Sequence, residues 1–80
     1  MIVAPSQIRM ARAALGWSLS ETASRSRLSL STIRRSELED SFSVMTHVNR
    51  EALERTFTEA GIIFTGDAAS PGVQLVLKAT

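Results

Sequence analysis

The 80-residue sequence predicts a mainly α domain, four helices closed by a C-terminal β-hairpin. Three observations lead there. Between residues 6 and 61 apolar side chains recur at three- and four-residue spacing, with hydroxyl caps at helix starts and glycines at helix ends. Inside that span, residues 17–37 (WSLSETASRSRLSLSTIRRSE) read as two short helices joined by a tight turn. After Gly61 the helical period gives way to two runs of strand formers around a turn-rich segment. Eighty residues make one domain, 1–80, and a hydrophobic content of 44% provides for a packed core. A core this small is marginal, so burial against a second copy would add stability.

Met1-Ile2-Val3-Ala4 is apolar but too short to be an element, and it packs on a neighbour or frays. The first helix starts near Pro5-Ser6, because proline suits the first helical turn, and ends at Gly16. Ile8, Ala11, Arg12 and Leu15 form its inward stripe. An arginine in that stripe needs a partner once partly buried, and Glu37 on the inward face of the third helix is the candidate. The second helix covers about Leu19 to Ser26. Ser18 caps it and Glu21 completes a capping box, while Thr22, Ala23 and Ser26 keep one side small enough for close helix packing. Trp17 reads as a core plug.

The chain breaks at Ser26-Arg27-Leu28, and Ser29 caps the third helix. Leu30, Ile33 and Glu37 share one face of it; Ser31, Arg34, Arg35 and Leu38 share another. Residues 38–43 read as a loop or a frayed extension. For the fourth helix the expected cap is Asn49, with Val48 and Leu53 as a hydrophobic staple and Glu51 in the first turn. Leu53, Thr56, Phe57 and Ala60 supply its apolar stripe, Glu51 and Arg55 an i, i+4 pair, and Gly61 its end. Ile62-Ile63-Phe64-Thr65 and Val73-Gln74-Leu75-Val76-Leu77 then form the hairpin, residues 62–78, around Gly66-Asp67-Ala68-Ala69-Ser70-Pro71-Gly72. A lone two-stranded ribbon is unstable in water. The expectation is therefore that one face packs on the fourth helix and an edge or face pairs in a homodimer, through Ile62, Phe64, Val73, Leu75 and Leu77. The alternative is a hairpin that only completes the monomer core.

The net charge of +1 hides an uneven distribution. Residues 1–36 hold six arginines against Glu21, a surplus of +5, and residues 37–80 hold Arg50, Arg55 and Lys78 against seven acids, a balance of −4. A positive half suits a polyanion. Enzyme chemistry has little to work with. His47 is the one histidine, there is no cysteine or tyrosine, and no serine has a base beside it in a motif. Neither a metal site nor a phosphate loop can be assembled, so no cofactor is expected. No stretch resembles a signal peptide or membrane span, and the absence of cysteine fits a reducing compartment.

Taken in order, Ile8, Arg12, Leu15, Gly16-Trp17-Ser18, Glu21, Ala23, Leu28-Ser29, Ser31-Thr32-Ile33-Arg34-Arg35, Glu37 and Ala60-Gly61 resemble the lambda-repressor-like (XRE/Cro) helix-turn-helix regulators of bacteria and phages. The resemblance covers residues 6–61, with the motif at 18–38. It implies a cytoplasmic, nucleoid-associated protein that binds double-stranded DNA, a dimeric repressor or autoregulator on an inverted-repeat operator, with the third helix in the major groove. Carried over by position, Leu30, Ser31, Arg34 and Arg35 read bases, and Ser18, Arg25, Arg27, Ser29 and Thr32 touch the DNA backbone. The Arg12–Glu37 pair locks the first helix to the third, a pairing common in that family. Arg27 stands where the family usually has a turn glycine, Thr22 where it has leucine, and Leu19 where it often has glutamine. The alternative is a protein-interaction module of the same fold, an antiactivator or antitoxin-like subunit without DNA affinity. It would meet a second regulator through Leu19, Leu30, Leu38 and Phe42.

Overall fold

Pro5 opens the first helix in the computed structural model, which describes residues 1–77; Lys78, the last residue of the expected hairpin, lies outside them. Helix α1 (Pro5–Leu15) ends on Gly16, whose φ of 69° closes the helix in the left-handed conformation. Helix α2 (Leu19–Ser26) is capped by Ser18, whose side chain accepts from the Glu21 N–H. Helix α3 (Leu30–Ser36) is capped by Ser29, accepting from the Thr32 N–H. Helices α1 and α2 match the sequence expectations in order and extent; α3 ends at Ser36, so Glu37 is its C-terminal cap and Leu38, in extended backbone, does not continue the face of Ser31, Arg34 and Arg35.

The next segment departs further. Residues 38–43 are neither loop nor extension: Glu39–Phe42 form a one-turn helix, α4, which makes five helices among the described residues. The turn carries Phe42 into the core, and Arg50 closes over its ring at 4.4 Å while donating to the Phe42 carbonyl at 3.3 Å. Helix α5 spans His47–Glu59, and its cap is Thr46, accepting from the Asn49 N–H, rather than Asn49 itself. Val48 is 72% exposed, so it makes no hydrophobic staple with the buried Leu53. Glu51 pairs with His47 at 3.0 Å instead of Arg55.

Strands β1 (Ile62–Gly66) and β2 (Pro71–Leu75) pair antiparallel, with Ile62 opposite Leu75 and Phe64 opposite Val73. The second strand thus begins earlier than expected and ends before Val76 and Leu77. Gly66, at φ +78°, lies so close to the returning chain that a β-carbon there would sit 1.9 Å from the Ser70 carbonyl oxygen. Asp67 then ties the turn by accepting from the Ala69 and Ser70 N–H groups.

Ile2, Ile8, Ala11, Ile33, Phe42, Leu53, Phe57 and Ile62 form one core. Phe57 is its aromatic centre: Trp17 stacks on it at 5.6 Å and Phe64 meets it edge-on at 6.2 Å. The hairpin packs on α1 through β2 as well as on α5 through β1, not on the last helix alone. Fully buried Gln7 makes the join. Its Oε1 accepts from the Val3 and Ala4 N–H groups, and its amide nitrogen donates to the carbonyls of Thr65 and Gly72. Ile62 is 1% exposed and thus held inside this chain's own core, while Phe64, Val73 and Leu75 are half-buried against it. Of the five residues expected at a dimer interface, Leu77 alone is strongly exposed, and Ile63 and Val76 are exposed beside it. No helix of the described residues is long and apolar enough to cross a membrane.

Candidate nucleic-acid interface

Helices α2 and α3 meet through small side chains, as the sequence requires. Thr22 and Ser26 are buried there, and each spends its hydroxyl on its own helix: Thr22 donates to the Ser18 carbonyl at 2.9 Å and Ser26 to the Thr22 carbonyl at 2.8 Å. Polar groups satisfied this way can be buried without an external partner. Between the helices Arg27 holds φ 61° and ψ 28°, a left-handed position that costs a non-glycine residue about 1–2 kcal/mol. Its side chain is exposed as a result of the same turn.

The α3 scaffold is held from behind. Glu37, 9% exposed, accepts from Arg12 at both carboxylate oxygens, from Nε at 2.7 Å and from Nη2 at 3.1 Å. The third Arg12 nitrogen donates to the Trp17 carbonyl at 3.2 Å, and Arg9 donates to the Glu37 carbonyl. Arg12 thus joins α1, the start of α2 and the end of α3 in a single network. The hydrogen bonds that Arg12 donates to Glu37 raise its pKa above the ordinary value, burial opposes this, and the carboxylate charge adds to the rise. The fork geometry of the pair fixes orientation as well as charge.

With α3 anchored, Ser31, Arg34 and Arg35 face outward and are exposed. Leu30 is half-buried and divided between core and surface. Ser29 and Thr32 bond to each other, hydroxyl to hydroxyl at 2.8 Å, and so stiffen the first turn. Arg25 does not stand with the other arginines. It lies over the Trp17 ring at 4.5 Å and donates to Glu21 at 3.0 Å, with about half of its side chain exposed. The same bond draws the Glu21 carboxylate away from the capping box. Arg27, Arg34, Arg35 and Arg55 have side chains without a hydrogen bond or ion pair among the described residues. Three of these four belong to the turn and to α3.

Beside them is a cleft of about 210 Å³ lined by Thr32, Arg35, Ser36, Ser41, Val44, Met45, Thr46 and Asn49. Its far wall is not legible in the sequence, because the four residues of α4 carry too little periodicity and Thr46 and Asn49 are both good caps one turn apart. Gln7 and Arg50 were missed too. The signal for Gln7 was its place one turn before Ala11 on the inward face of the first helix. The apolar patch expected around Leu19, Leu30, Leu38 and Phe42 is not assembled: Phe42 is 8% exposed, Leu19 and Leu30 are half-buried, and Leu38 is 56% exposed. Among the described residues no three His, Cys, Asp or Glu side chains converge on a metal position. Comparison with protein-family models, curated proteins and solved structures finds no match to this chain.

Proposed function

We propose that the chain is a DNA-binding transcriptional regulator of the lambda-repressor-like helix-turn-helix type, with α3 as the element that enters the major groove. The observation that carries this reading is the set of uncompensated arginines, Arg27, Arg34 and Arg35, on a helix and turn whose other arginine contacts are all internal. Unpaired guanidinium groups on one rigid helix are what duplex DNA selects: they release counterions from phosphates and bind guanine O6 and N7 in pairs. Ser31 sits between Arg34 and Arg35 one turn back and adds a small hydroxyl donor and acceptor. The regulator acts by occupancy, covering a promoter or touching polymerase beside it.

The test is binding of the purified chain to duplex from its own upstream region, across a salt series, with non-specific duplex as competitor. Specific binding that weakens steeply with salt is expected, and Arg34→Ala or Arg35→Ala should lower affinity by about 5- to 150-fold, the equivalent of one bidentate base contact. Binding that is equally weak to any sequence, or unchanged in both variants, refutes the assignment. A second reading, a module that binds another regulator, draws on the exposure of Leu38, Val44 and Val48, at 56%, 78% and 72%. Salt-insensitive binding to a protein with no DNA affinity would favour it.

A further inference from the structure

We propose that the cleft beside α3 is a binding site for a small monocarboxylate with a ring-sized apolar body, a ligand that engages Arg35. The cleft is closed by α3, α4 and the start of α5, and each contributes one polar side chain that the fold leaves unused. The Arg35 guanidinium, the Ser41 hydroxyl and the Asn49 amide make no hydrogen bond among the described residues. The neighbouring hydroxyls are spent: Thr32 bonds to Ser29 at 2.8 Å, Ser36 donates to the Ile33 carbonyl at 2.6 Å, and Thr46 accepts from the Asn49 N–H at 3.2 Å. Free polar groups converging on one hollow are what orients the polar end of a ligand. Val44, 78% exposed, and half-buried Met45 supply an apolar wall beside them.

Size and charge decide the ligand. A volume of about 210 Å³ is room for roughly seven waters at about 30 Å³ each, more than a structural water site needs. Since an apolar cavity of about 150 Å³ accepts benzene, this cleft holds a six-membered ring with a carboxylate attached. No aspartate or glutamate lines it, and Arg35 is its one charged residue. One guanidinium balances one negative charge. A carboxylate, bound through two parallel hydrogen bonds, therefore suits the site better than a phosphate monoester carrying about −1.5 to −2. Ser41 and Asn49 donate to the remaining carboxylate lone pairs, and the ring covers Val44 and Met45, taking apolar surface out of water. The consequence for regulation rests on the reading of α3 as the recognition helix: an Arg35 held by the carboxylate is withdrawn from the base edges, so the ligand weakens DNA binding.

The experiment is a nuclear magnetic resonance titration of the full, DNA-free chain with benzoate. Saturable shifts of Arg35, Ser41, Met45 and Asn49 are expected. Acetate, which lacks the ring, and benzamide, which lacks the charge, should each bind roughly 10-fold or more weakly. Arg35→Gln should abolish saturation and Val44→Asp should weaken binding by roughly 10-fold, both with an unchanged far-UV circular dichroism spectrum. No saturable shift at these residues, benzamide binding as tightly as benzoate, or binding that survives Arg35→Gln overturns the proposal. So does dimethyl phosphate binding as tightly as benzoate, which would make the cleft a seat for a backbone phosphate. Should a variant fail to fold, the same small molecules on the unsubstituted chain decide alone. On DNA, saturating benzoate should lower affinity as much as Arg35→Ala does and have no further effect on that variant; an undiminished affinity overturns the regulatory consequence. Arg34→Ala, which tests DNA binding, should leave the benzoate shifts intact, so the two proposals fail separately.

Discussion

Arg12 shows how far a single residue can be read. It falls at a buried spacing in α1, and a guanidinium there must find a carboxylate; Glu37 is the acid at matching spacing on α3, and the two meet at 2.7 and 3.1 Å. The pair can be inferred from periodicity because each partner is displaced from its ordinary surface habit. Arg12→Ala leaves a nearly buried carboxylate unpaired and should cost roughly 2–3 kcal/mol, or on the order of 10–20 °C in melting temperature by circular dichroism. Because the folded-state pKa of Arg12 is raised, its contribution is fully present throughout the acid and neutral range and is lost only as strongly alkaline pH passes through that raised value. Stability of the wild type between neutral pH and pH 9 should therefore be insensitive to this group. Arg25 was not legible in the same way. Its partners Glu21 and Trp17 are close in sequence, but only the packing of Trp17 on Phe57 turns the ring face outward for a guanidinium to cover.

At the scale of elements, local chemistry placed α1 through Pro5 and Gly16 at its two ends, and α2 and α3 through their serine caps Ser18 and Ser29. It misplaced α5 because Thr46 and Asn49 are both good caps and lie one turn apart. The choice between them is made by contacts outside the helix. Starting at Thr46 sets Arg50 over Phe42 and His47 beside Glu51. Thr46→Ala should lower stability by about 1 kcal/mol, some 4–8 °C for a domain of this size, whereas Asn49→Ala, whose side chain makes no hydrogen bond among the described residues, should cost less than half of that. Equal losses in thermal melts of the two variants would return the cap to Asn49. The one-turn α4 was missed for a related reason: four residues have too little periodicity to register, and it is burial of Phe42 that holds the turn closed.

At the scale of the molecule, Gln7 joins the N-terminal segment, α1 and both strands through hydrogen bonds that span 58 and 65 residues to the hairpin. All four of its side-chain hydrogen-bonding positions are used. Gln7→Ala strips buried backbone groups of their partners and opens a cavity, and it should destabilise the fold by roughly 2–4 kcal/mol, read as a lower denaturation midpoint. Gln7→Glu should be worse still at neutral pH, since a carboxylate cannot donate to the Thr65 and Gly72 carbonyls. Helix order, most helix boundaries, the strand-forming tail and the need of Arg12 for an acid were determined by the sequence alone, because caps, turns and amphipathic stripes act within about four residues along the chain. Tertiary structure alone decided which face of the hairpin is inward and which arginines stand free. Ile62 and Ile63 are identical as side chains, so local pattern could not separate core from surface; the neighbouring Phe57, Gln7 and Trp17, distant in sequence, made that choice.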